Sequence, residues 1–393
     1  MKLCIIFPPG YFPYPIRSGG STGSYYIIDA LRDKIDITII FTYKKKDAHH
    51  VEEIKRIWDD VELIGFLDDK WMRFIGSMFR GMPSFNESYM CFFNKIIQEN
   101  RFDIVQTEFY PSLHYIYSLN PAVKTVFIHH EIRYIRNERG HKGNRSLIDE
   151  YNLKKGKQEE LTALNQYSSV VALSEIDRNI LANDGVRVPI YNSPSLVSSQ
   201  NTFKEEYRFS NKIVFLATGA HQPNREGLIW FMDKIWDKVF ERCPLVEFHV
   251  IGKWNRKIVR KYKTARFLGF IKDFSTALEG AIMVVPILTG SGIRIKILDG
   301  INCGCPIVST SVGIEGLEFQ NDVDCIIEDD EMLFVERLCS LIKNEEKQKQ
   351  LRINAKRTLD RQYSSEDLIN KRLKVYYDIL ELNVAAMSSS PEE

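Results

Sequence analysis

Glycines and cations are concentrated between a buried strand and a helix in the segment 284–317, VVPILTGSGIRIKILDGINCGCPIVSTSVGIEGL. The turn Gly290-Ser291-Gly292 predicts backbone that can approach a ligand closely. A helix is predicted to begin near Ile293, with Arg294 and Lys296 in its first turn, where the helix dipole disfavours cations. Because free N–H groups and positive charge then face one point, this segment predicts an anion site, and phosphate is the natural ligand.

A second strand-to-helix junction adds another cation. The segment 218–225, TGAHQPNR, follows an apolar run, and Pro223 is well placed for a first helical turn. Arg225 is therefore expected near Arg294 and Lys296. Three cations at two helix starts favour a diphosphate over a monophosphate.

The first half of the chain carries two weaker signals. The segment 17–24, RSGGSTGS, follows the first apolar run and precedes a helix predicted to begin near Tyr25. Its position is that of a nucleotide loop, although the spacing G-x-G-x-x-G is absent and a flexible turn is the alternative. His129-His130-Glu131 closes the strand TVFI, at a strand end that usually belongs to the site in this type of fold. The charged stretch 133–139 is interpreted as a solvated helix face.

Metal and cofactor binding are not predicted. Asp322-Val323-Asp324 has the D-x-D form, but it lies between Gln320-Asn321 and a strand, so a surface turn is the better interpretation. Cys303-Gly304-Cys305 has no second pair at zinc-site spacing. No spacing of His or Asp predicts a metal site.

Length and charge narrow the functional classes. A chain of 393 residues predicts two to three domains, and its net charge of +1 argues against nucleic acid as the main partner. The seven cysteines are scattered and odd in number, which favours reduced packing residues and a cytoplasmic location. The start MKLCIIFPPGY has too few apolar residues for a signal peptide and reads as a buried strand.

Continuous apolar runs alternate with helical patterns along most of the chain, which predicts an α/β fold with strands covered on both faces. The segment 192–211 loses this pattern and is the best candidate linker. Two doubly wound, Rossmann-like domains are predicted, with ligands at the carboxyl ends of strands across a cleft. The predicted strands are 3–7, 35–41, 61–66, 104–107, 123–128 and 170–174, then 213–217, 246–251, 283–285, 306–309 and 325–328. The predicted helices include 224–240, 345–359 and 366–382.

The segment 70–97 is rich in aromatic residues and methionine, with interspersed Lys and Arg. One interpretation is a peripheral membrane contact, on the inner face, that meets a lipid-linked acceptor. Helices packed on the N-terminal sheet are favoured, because Gly-Met-Pro stands in its middle.

The second half resembles the retaining glycosyltransferases of group 1, glycosyltransferase family 4, which have the GT-B architecture. The motifs PILTGSGIRIKILD and CPIVSTSVGIEGL carry the resemblance, preceded by FLATGAHQPN, FHVIGK and FLGFIKDF. The first half matches through its glycine loop, IHHEIRYIRNER and VVALSEIDRNIL. The implied domains are 1–200 on the acceptor side and 201–363 on the donor side. A C-terminal helix, 364–383, returns to the first domain, and the tail 384–393 is predicted to be disordered.

The resemblance implies metal-independent transfer of a hexosyl or related group from a nucleotide-diphosphate sugar to a carbohydrate or lipid-linked glycan, in polysaccharide or glycolipid biosynthesis. It implies that Arg294 and Lys296 bind the diphosphate, Asp299 the ribose and His130 the transferred sugar. The remaining implied donor contacts are Gly19, Gly20, Gly219, Arg225, Gly290, Ser291, Gly292 and Ile293.

Two departures from the family pattern leave alternatives open. Ser291 and Asp299 stand where many members have two glutamates eight positions apart, and Ala220 stands where an arginine is usual. A nucleotide-sugar epimerase of the same architecture and a non-catalytic nucleotide-sugar-binding protein are the alternative functions. If the leaving phosphate oxygen accepts the acceptor proton, no carboxylate pair is required, whereas a glycosidase would need one.

Overall fold

The computed structural model describes residues 1–16, 19–68, 85–120, 122–140, 146–196 and 203–387, in two compact units. The first unit comprises Met1–Tyr134, Gly143–Leu196 and Glu366–Glu393. The second comprises Ile135–Lys142 and Val197–Ser365. The predicted boundary between residues 200 and 201 lies outside the described residues.

The first unit contains a seven-stranded parallel sheet in the order β3-β2-β1-β4-β5-β6-β7. The strands are β1 (Lys2–Ile6), β2 (Asp36–Tyr43), β3 (Glu62–Leu67), β4 (Ile104–Glu108), β5 (Lys124–His129), β6 (Ser169–Ala172) and β7 (Ile190–Asn192). The helices of this part of the chain are α1 (Gly19–Leu31), α2 (Ala48–Ile57), α3 (Phe85–Glu99), α4 (Arg133–Gly140), α5 (Leu147–Leu164) and α6 (Glu175–Asn183). Among the described residues of this part there are also the 3₁₀ segments Lys45–Asp47 and Tyr110–Ser118.

The second unit contains a six-stranded parallel sheet in the order β10-β9-β8-β11-β12-β13. The strands are β8 (Lys212–Leu216), β9 (Glu247–Ile251), β10 (Ala265–Gly269), β11 (Ile282–Val285), β12 (Ile307–Ser309) and β13 (Ile326–Ile327). The helices are α7 (Gln222–Trp230), a π segment (Phe231–Trp236), α8 (Asp237–Arg242), α9 (Arg256–Lys261), α10 (Ser275–Leu278), α11 (Ile295–Asn302), α12 (Ser311–Ile314), α13 (Glu331–Ile342) and α14 (Glu345–Gln362).

In each sheet the strand order reverses at one point, and the candidate functional residues of that unit lie near it. In the first unit the strand order reverses between β1 and β4, and in the second it reverses between β8 and β11. In an open parallel sheet, the crevice outside the carboxyl ends of two such strands is where ligands bind. The prediction of two doubly wound domains is therefore confirmed.

The predicted start of α1 near Tyr25 was wrong, since the helix already begins at Gly19. Gly and Ser have low helix propensity, but tertiary contacts override it here. The Ser24 hydroxyl donates to Glu108 at the end of β4, and the absence of a side chain at Gly20 lets α1 approach the ring of Phe109 closely. Residues 17 and 18 lie outside the described part of the chain.

Two strands were missed because their sequences lack a clear apolar run. β7 has three residues, all half-buried. β10 is an edge strand that alternates buried Ala265 with exposed Arg266. A helix predicted near Ile293 begins at Ile295, so Arg294 occupies its N-cap position and Lys296 is its second residue.

The segment 70–97 is described only from residue 85 onward. There α3 packs on the sheet, with Tyr89 and Phe93 fully buried beside Ile6 and Val105. Among the described helices, none is both long and apolar enough to cross a membrane.

The final helix, α15 (Ser365–Met387), belongs to the first unit from Glu366 onward, as the family resemblance implied. Arg372 is 2% exposed and donates through Nε to the Ser193 hydroxyl at 2.8 Å. The Tyr376 hydroxyl donates to Oε1 of Gln106 on β4 at 2.7 Å. Of the predicted disordered tail 384–393, residues 388–393 lie outside the described part, and α15 continues to Met387.

Candidate functional site

Lys296 is the central cation of the second unit. Its Nζ donates to Oδ1 of Asn224 near the start of α7, at 2.9 Å, and lies 4.9 Å from the ring centroid of Phe215 on β8. Burial, with a contribution from the nearby Arg294 charge, lowers the pKa of Lys296 to about 7. Burial and the neighbouring Arg294 both disfavour the charged form of Lys296. A bound anion would therefore stabilise the ammonium.

Arg294 and Arg225 both donate hydrogen bonds to backbone carbonyl oxygens. Arg294 is buried and donates through Nη1 to the carbonyl oxygens of Ser291, at 2.7 Å, and Gly292. Arg225 donates through Nη1 to the carbonyl oxygens of Gly219, at 2.8 Å, and Ala220, at 3.0 Å. The structure thus brings Arg294 and Lys296 together, whereas Arg225 braces the loop before its own helix.

The glycine turn lies against the start of α7. Gly290 has φ of 103°, and a Cβ there would approach Nη2 of Arg294 to 3.1 Å and Cγ of Pro223 to 3.2 Å. Gly292 also has positive φ, at 77°, and Ile293 is half-buried. A Cβ at Gly219 would lie 2.8 Å from the ring of Trp254. Both loops after β8 and β11 therefore pack too closely for larger residues.

Asp299 and Ser291 are the positions where the family pattern has glutamates. Burial raises the pKa of Asp299 to about 7, and no described residue donates a hydrogen bond to its carboxylate. Ser291 is buried. A carboxylate that sequence reasoning missed lies in the same region, because Glu226 accepts from the Thr289 hydroxyl at 2.5 Å and from Gln222 at 2.7 Å. Its place in the first turns of α7 was the available signal.

In the first unit, His130 lies just beyond the end of β5 and is held by Glu108 at the end of β4. His130 Nε2 lies 3.1 Å from Glu108 Oε2, and the Ser24 hydroxyl of α1 donates to the same oxygen at 2.6 Å. Glu108 is 1% exposed. Burial alone would raise the pKa of Glu108, but the bonds to His130 and Ser24 and the charge of Arg372 hold it below its usual value.

The face of the His130 ring is also covered. Phe109 stacks on it with 3.9 Å between ring centroids and 12° between planes. Phe109 has φ of 68°, which is unusual for a bulky residue. A Cβ at Gly20 would come within 2.8 Å of the Phe109 ring, so the predicted glycine loop brings Gly20, next to Gly19, against the ring that stacks on His130.

His129 is held in a similar way but faces the interior. Its Nε2 lies 3.0 Å from Oε1 of Glu160, and both side chains are 1% exposed. Glu160 also accepts from the backbone N–H groups of Arg133 and Tyr134, so it caps the start of α4. His129 is thus a core residue, whereas the His130 side chain is 13% exposed.

The acidic D-x-D segment is a turn, as the sequence predicted. Asp322 has φ of 63° and pairs with Arg337, while buried Asp324 accepts from the Thr358 hydroxyl. Within the described ranges, no three His, Cys, Asp or Glu side chains are grouped to hold a metal ion. None of the seven cysteines forms a disulfide, and five of them are buried, with Cys303 half-buried and Cys91 exposed.

Comparison with known protein families matches residues 211–344 to the model described as "Glycosyl transferases group 1". Residues 211–344 are a group 1 glycosyltransferase domain. This glycosyltransferase domain contains both loops and both helix starts that surround Lys296, and it extends through α13.

A curated relative is the "Uncharacterized 44.6 kDa protein in cps region" of Klebsiella pneumoniae. It is 25% identical over 195 residues, which cover 46% of this chain and 50% of that protein. The chain therefore spans about half the length of this relative.

Solved structures resemble the whole chain in fold. They include TarM of S. aureus, solved with fondaparinux, alpha-GlcNAc-glycerol and UDP (TM-score 0.72, 12% identity, 96% of this chain and 100% of that one). The pneumococcal O-GlcNAc transferase GtfA, solved with UDP and GlcNAc, gives a TM-score of 0.70 at 11% identity, covering 97% and 99%. Sucrose-phosphate synthase from Thermosynechococcus elongatus gives 0.73 at 11%, covering 97% and 100%. The chain has the GT-B fold of these proteins.

Proposed function

We propose that this protein transfers a sugar from a nucleotide-diphosphate sugar to a hydroxyl acceptor, with retention at the anomeric carbon and without a metal ion. Membership of glycosyltransferase family 4 is part of the proposal. It is supported by the group 1 domain and by the motifs that surround Lys296. UDP is the first nucleotide to test, because the TarM and GtfA structures contain it.

The partly buried Lys296 ammonium carries the proposal. It lies at the start of α11, beside Arg294, in the crevice where the second sheet changes direction. With a pKa of about 7, Lys296 is only partly charged near neutral pH, and a bound diphosphate would favour its charged form. Two nearby helix starts add backbone N–H groups and the positive ends of helix dipoles.

Breaking the bond between the anomeric carbon and the diphosphate leaves negative charge on the leaving oxygen. Lys296, Arg294 and the start of α11 would stabilise this charge without rearrangement of solvent. The acceptor hydroxyl would lose its proton to that same oxygen as it attacks on the same face, so the configuration is retained. Asp299 is proposed to accept from the ribose, and His130 to contact the transferred sugar.

The biological setting is proposed from the resemblance alone. We assign the protein to polysaccharide or glycolipid biosynthesis, with a carbohydrate or lipid-linked glycan as acceptor. The relative from the cps region is consistent with that assignment. A cytoplasmic location with peripheral membrane contact stays a proposal.

The decisive experiment incubates the purified protein with a panel of UDP-sugars and acceptor glycans. We expect UDP release that depends on the acceptor, and a product whose anomeric proton coupling matches that of the donor. EDTA should leave the rate unchanged.

The other outcomes separate the alternatives. Interconversion of a UDP-sugar without acceptor would identify an epimerase and overturn transfer. Tight donor binding with no turnover across the panel would identify a binding protein. An inverted product would contradict retention while leaving transfer intact.

A further inference from the structure

A buried chain of hydrogen bonds connects the last helix to the ring of His130. The Tyr376 hydroxyl on α15 donates to Oε1 of Gln106, at 2.7 Å. The Gln106 amide donates through Nε2 to Oε1 of Glu108, also at 2.7 Å. The other oxygen of Glu108 lies 3.1 Å from His130 Nε2. Gln106, Glu108 and Tyr376 are each 1% exposed.

We infer that Glu108 is a positioning residue for His130, and that Gln106 and Tyr376 hold Glu108 in place for that role. This inference rests on the proposed function, because it assumes that His130 faces the transferred sugar. Its geometric part stands independently of any ligand.

The contacts set the ring's orientation and its tautomer together. An ionised carboxylate only accepts hydrogen bonds, so of the two neutral tautomers of His130, Glu108 favours the one that carries its proton on Nε2. Nδ1 then keeps its lone pair, and no described residue bonds to it. A partly exposed ring with one nitrogen fixed offers Nδ1 as an acceptor for a hydroxyl group of the substrate.

Phe109 stacks on the His130 ring and restricts the tilt of that ring about its contact with Glu108. Successive side chains of a strand point to opposite faces of the sheet. The chain leaves strand geometry at Phe109, whose φ is 68° and ψ is 148°. Glu108 therefore reaches the edge of the imidazole while Phe109 covers its face. Such a backbone conformation is costly for a bulky residue and persists only where the surroundings hold it.

Tyr376 determines which way the Gln106 amide faces in this series of hydrogen bonds. An amide has one oxygen and one NH₂ group, and the two can exchange places by rotation. Because the Tyr376 hydroxyl donates to Oε1 of Gln106, the NH₂ group must face Glu108. Removal of the hydroxyl would let the amide turn its oxygen toward the carboxylate, which would then lose a donor.

The neighbouring pair His129 and Glu160 provides a matched control. It has the same Nε2-to-carboxylate geometry, at 3.0 Å, but both side chains are 1% exposed. Changes there should affect stability rather than the orientation of His130.

The test records ¹⁵N spectra of histidine-labelled protein at pH 8, where an ordinary histidine is neutral. His130 is assigned by the signal lost in His130→Gln. We expect a single Nε2–H tautomer for His130 in the wild type and in Glu160→Gln. Glu108→Gln should give a mixture, because the new amide can donate as well as accept. Tyr376→Phe should give a smaller shift in the same direction.

Kinetic measurements then test whether the orientation of the His130 ring affects turnover. With the UDP-sugar that the wild type uses best, Glu108→Gln should lower kcat by ~10 to 100-fold, the usual cost of a misplaced group. The affinity for UDP alone should stay unchanged, because Glu108 does not belong to the unit that contains Lys296. Per folded molecule, Glu160→Gln should retain wild-type kcat.

The inference is overturned if Glu108→Gln keeps the single Nε2–H tautomer, or keeps wild-type kcat after losing it. A wild type that neither binds UDP nor releases it from any donor would instead contradict the proposed function. In that case the tautomer comparison still decides whether Glu108 positions His130.

Discussion

The candidate groups of the two units differ in how completely the protein satisfies them. In the first unit, Glu108 accepts hydrogen bonds at both oxygens, and His130 is held at its edge and its face. In the second unit, Lys296 has a pKa of about 7, and the Asp299 carboxylate lacks a hydrogen-bond donor among the described residues. The groups of the first unit are arranged before any ligand arrives, whereas the ionisation of the groups of the second unit depends on the ligand.

This contrast fits the two proposed roles, which are to orient a sugar in the first unit and to stabilise a diphosphate in the second. A group that orients a sugar gains from a rigid position, since errors of an ångström are costly. A cation that stabilises a leaving diphosphate gains from a dry environment, where each charge counts for more.

Lys296→Ala should have the largest effect on turnover. The variant removes the positive charge that would stabilise the leaving diphosphate, and we expect kcat/KM to fall ~100 to 1,000-fold, as for other preorganised electrostatic groups. Steady-state release of UDP measures it. Lys261→Ala, which removes an exposed lysine paired with Asp233 in the same unit, should match the wild type. Equal rates for the two variants would remove Lys296 from the site.

Gly227→Ala, in the second unit, should lower the free energy of unfolding, whereas Gly20→Ala, in the first unit, should mainly lower kcat. A Cβ at Gly227 would meet the backbone oxygen of Pro286 at 2.3 Å, which must force α7 away from the loop after β11. We expect a loss of about 1–3 kcal/mol in the free energy of unfolding, the typical cost of overpacking. At Gly20 the Cβ meets the Phe109 ring at 2.8 Å, so the ring can shift and kcat should fall with little change in stability.

Gly156→Ala is the control for both variants. Gly156 lies inside α5 with no atom within 4 Å of an added Cβ. Alanine should therefore stabilise the helix by up to about 1 kcal/mol. Denaturant unfolding and UDP release, measured on all three variants, would show whether close packing is needed at both positions.

Proton exchange should accompany UDP binding. The lowered pKa of Lys296, about 7, means that a bound diphosphate raises it and takes up protons between about pH 7 and 9. The raised pKa of Asp299, also about 7, falls if the carboxylate accepts from ribose, which releases protons between about pH 5 and 7. UDP affinity should therefore weaken as pH rises above 7 and as it falls below 7.

Calorimetry in buffers of different ionisation enthalpy measures both contributions. At pH 7, Asp299→Asn should show net proton uptake on binding UDP, and Lys296→Met should show net release. The same proton count in the wild type and both variants would contradict ligand-dependent ionisation in this unit.

Ser24→Ala should have the smallest effect. It removes one of two donors to Oε2 of Glu108 and leaves the bond to His130 in place. We expect a stability loss of about 1 kcal/mol, as for a typical hydrogen bond, and a change in kcat of a few-fold at most. A loss of kcat as large as that of Glu108→Gln would mean that α1 carries the orientation of His130.

The second unit was easier to predict because its signals are local. The turn Gly290-Ser291-Gly292 and Lys296 lie within seven residues of one another in sequence. A buried strand, a glycine turn and a helix start in this order have a direct physical meaning. The expected position of Arg225 beside Arg294 and Lys296 was wrong, because its guanidinium donates to the carbonyl oxygens of its own loop, a contact that the sequence does not indicate.

The network of the first unit was missed because its members are distant in sequence. Ser24 and Glu108 are 84 residues apart, and Gln106 and Tyr376 are 270 apart. Gln106 and Glu108 also alternate along β4 as exposed polar residues would, so their burial is invisible in the pattern. Polar residues that end an otherwise apolar strand were the available signal.

The return of α15 to the first unit has a consequence for biosynthesis. Arg372 and Tyr376 emerge from the ribosome only after the entire second unit, yet they enter the interior of a unit whose first strand begins at Lys2. Domains usually fold in order during synthesis. Here the first unit cannot complete its interior until α15 has been synthesised, so the contacts that hold Glu108 and His130 form last, and a chain truncated before Ser365 would lack them.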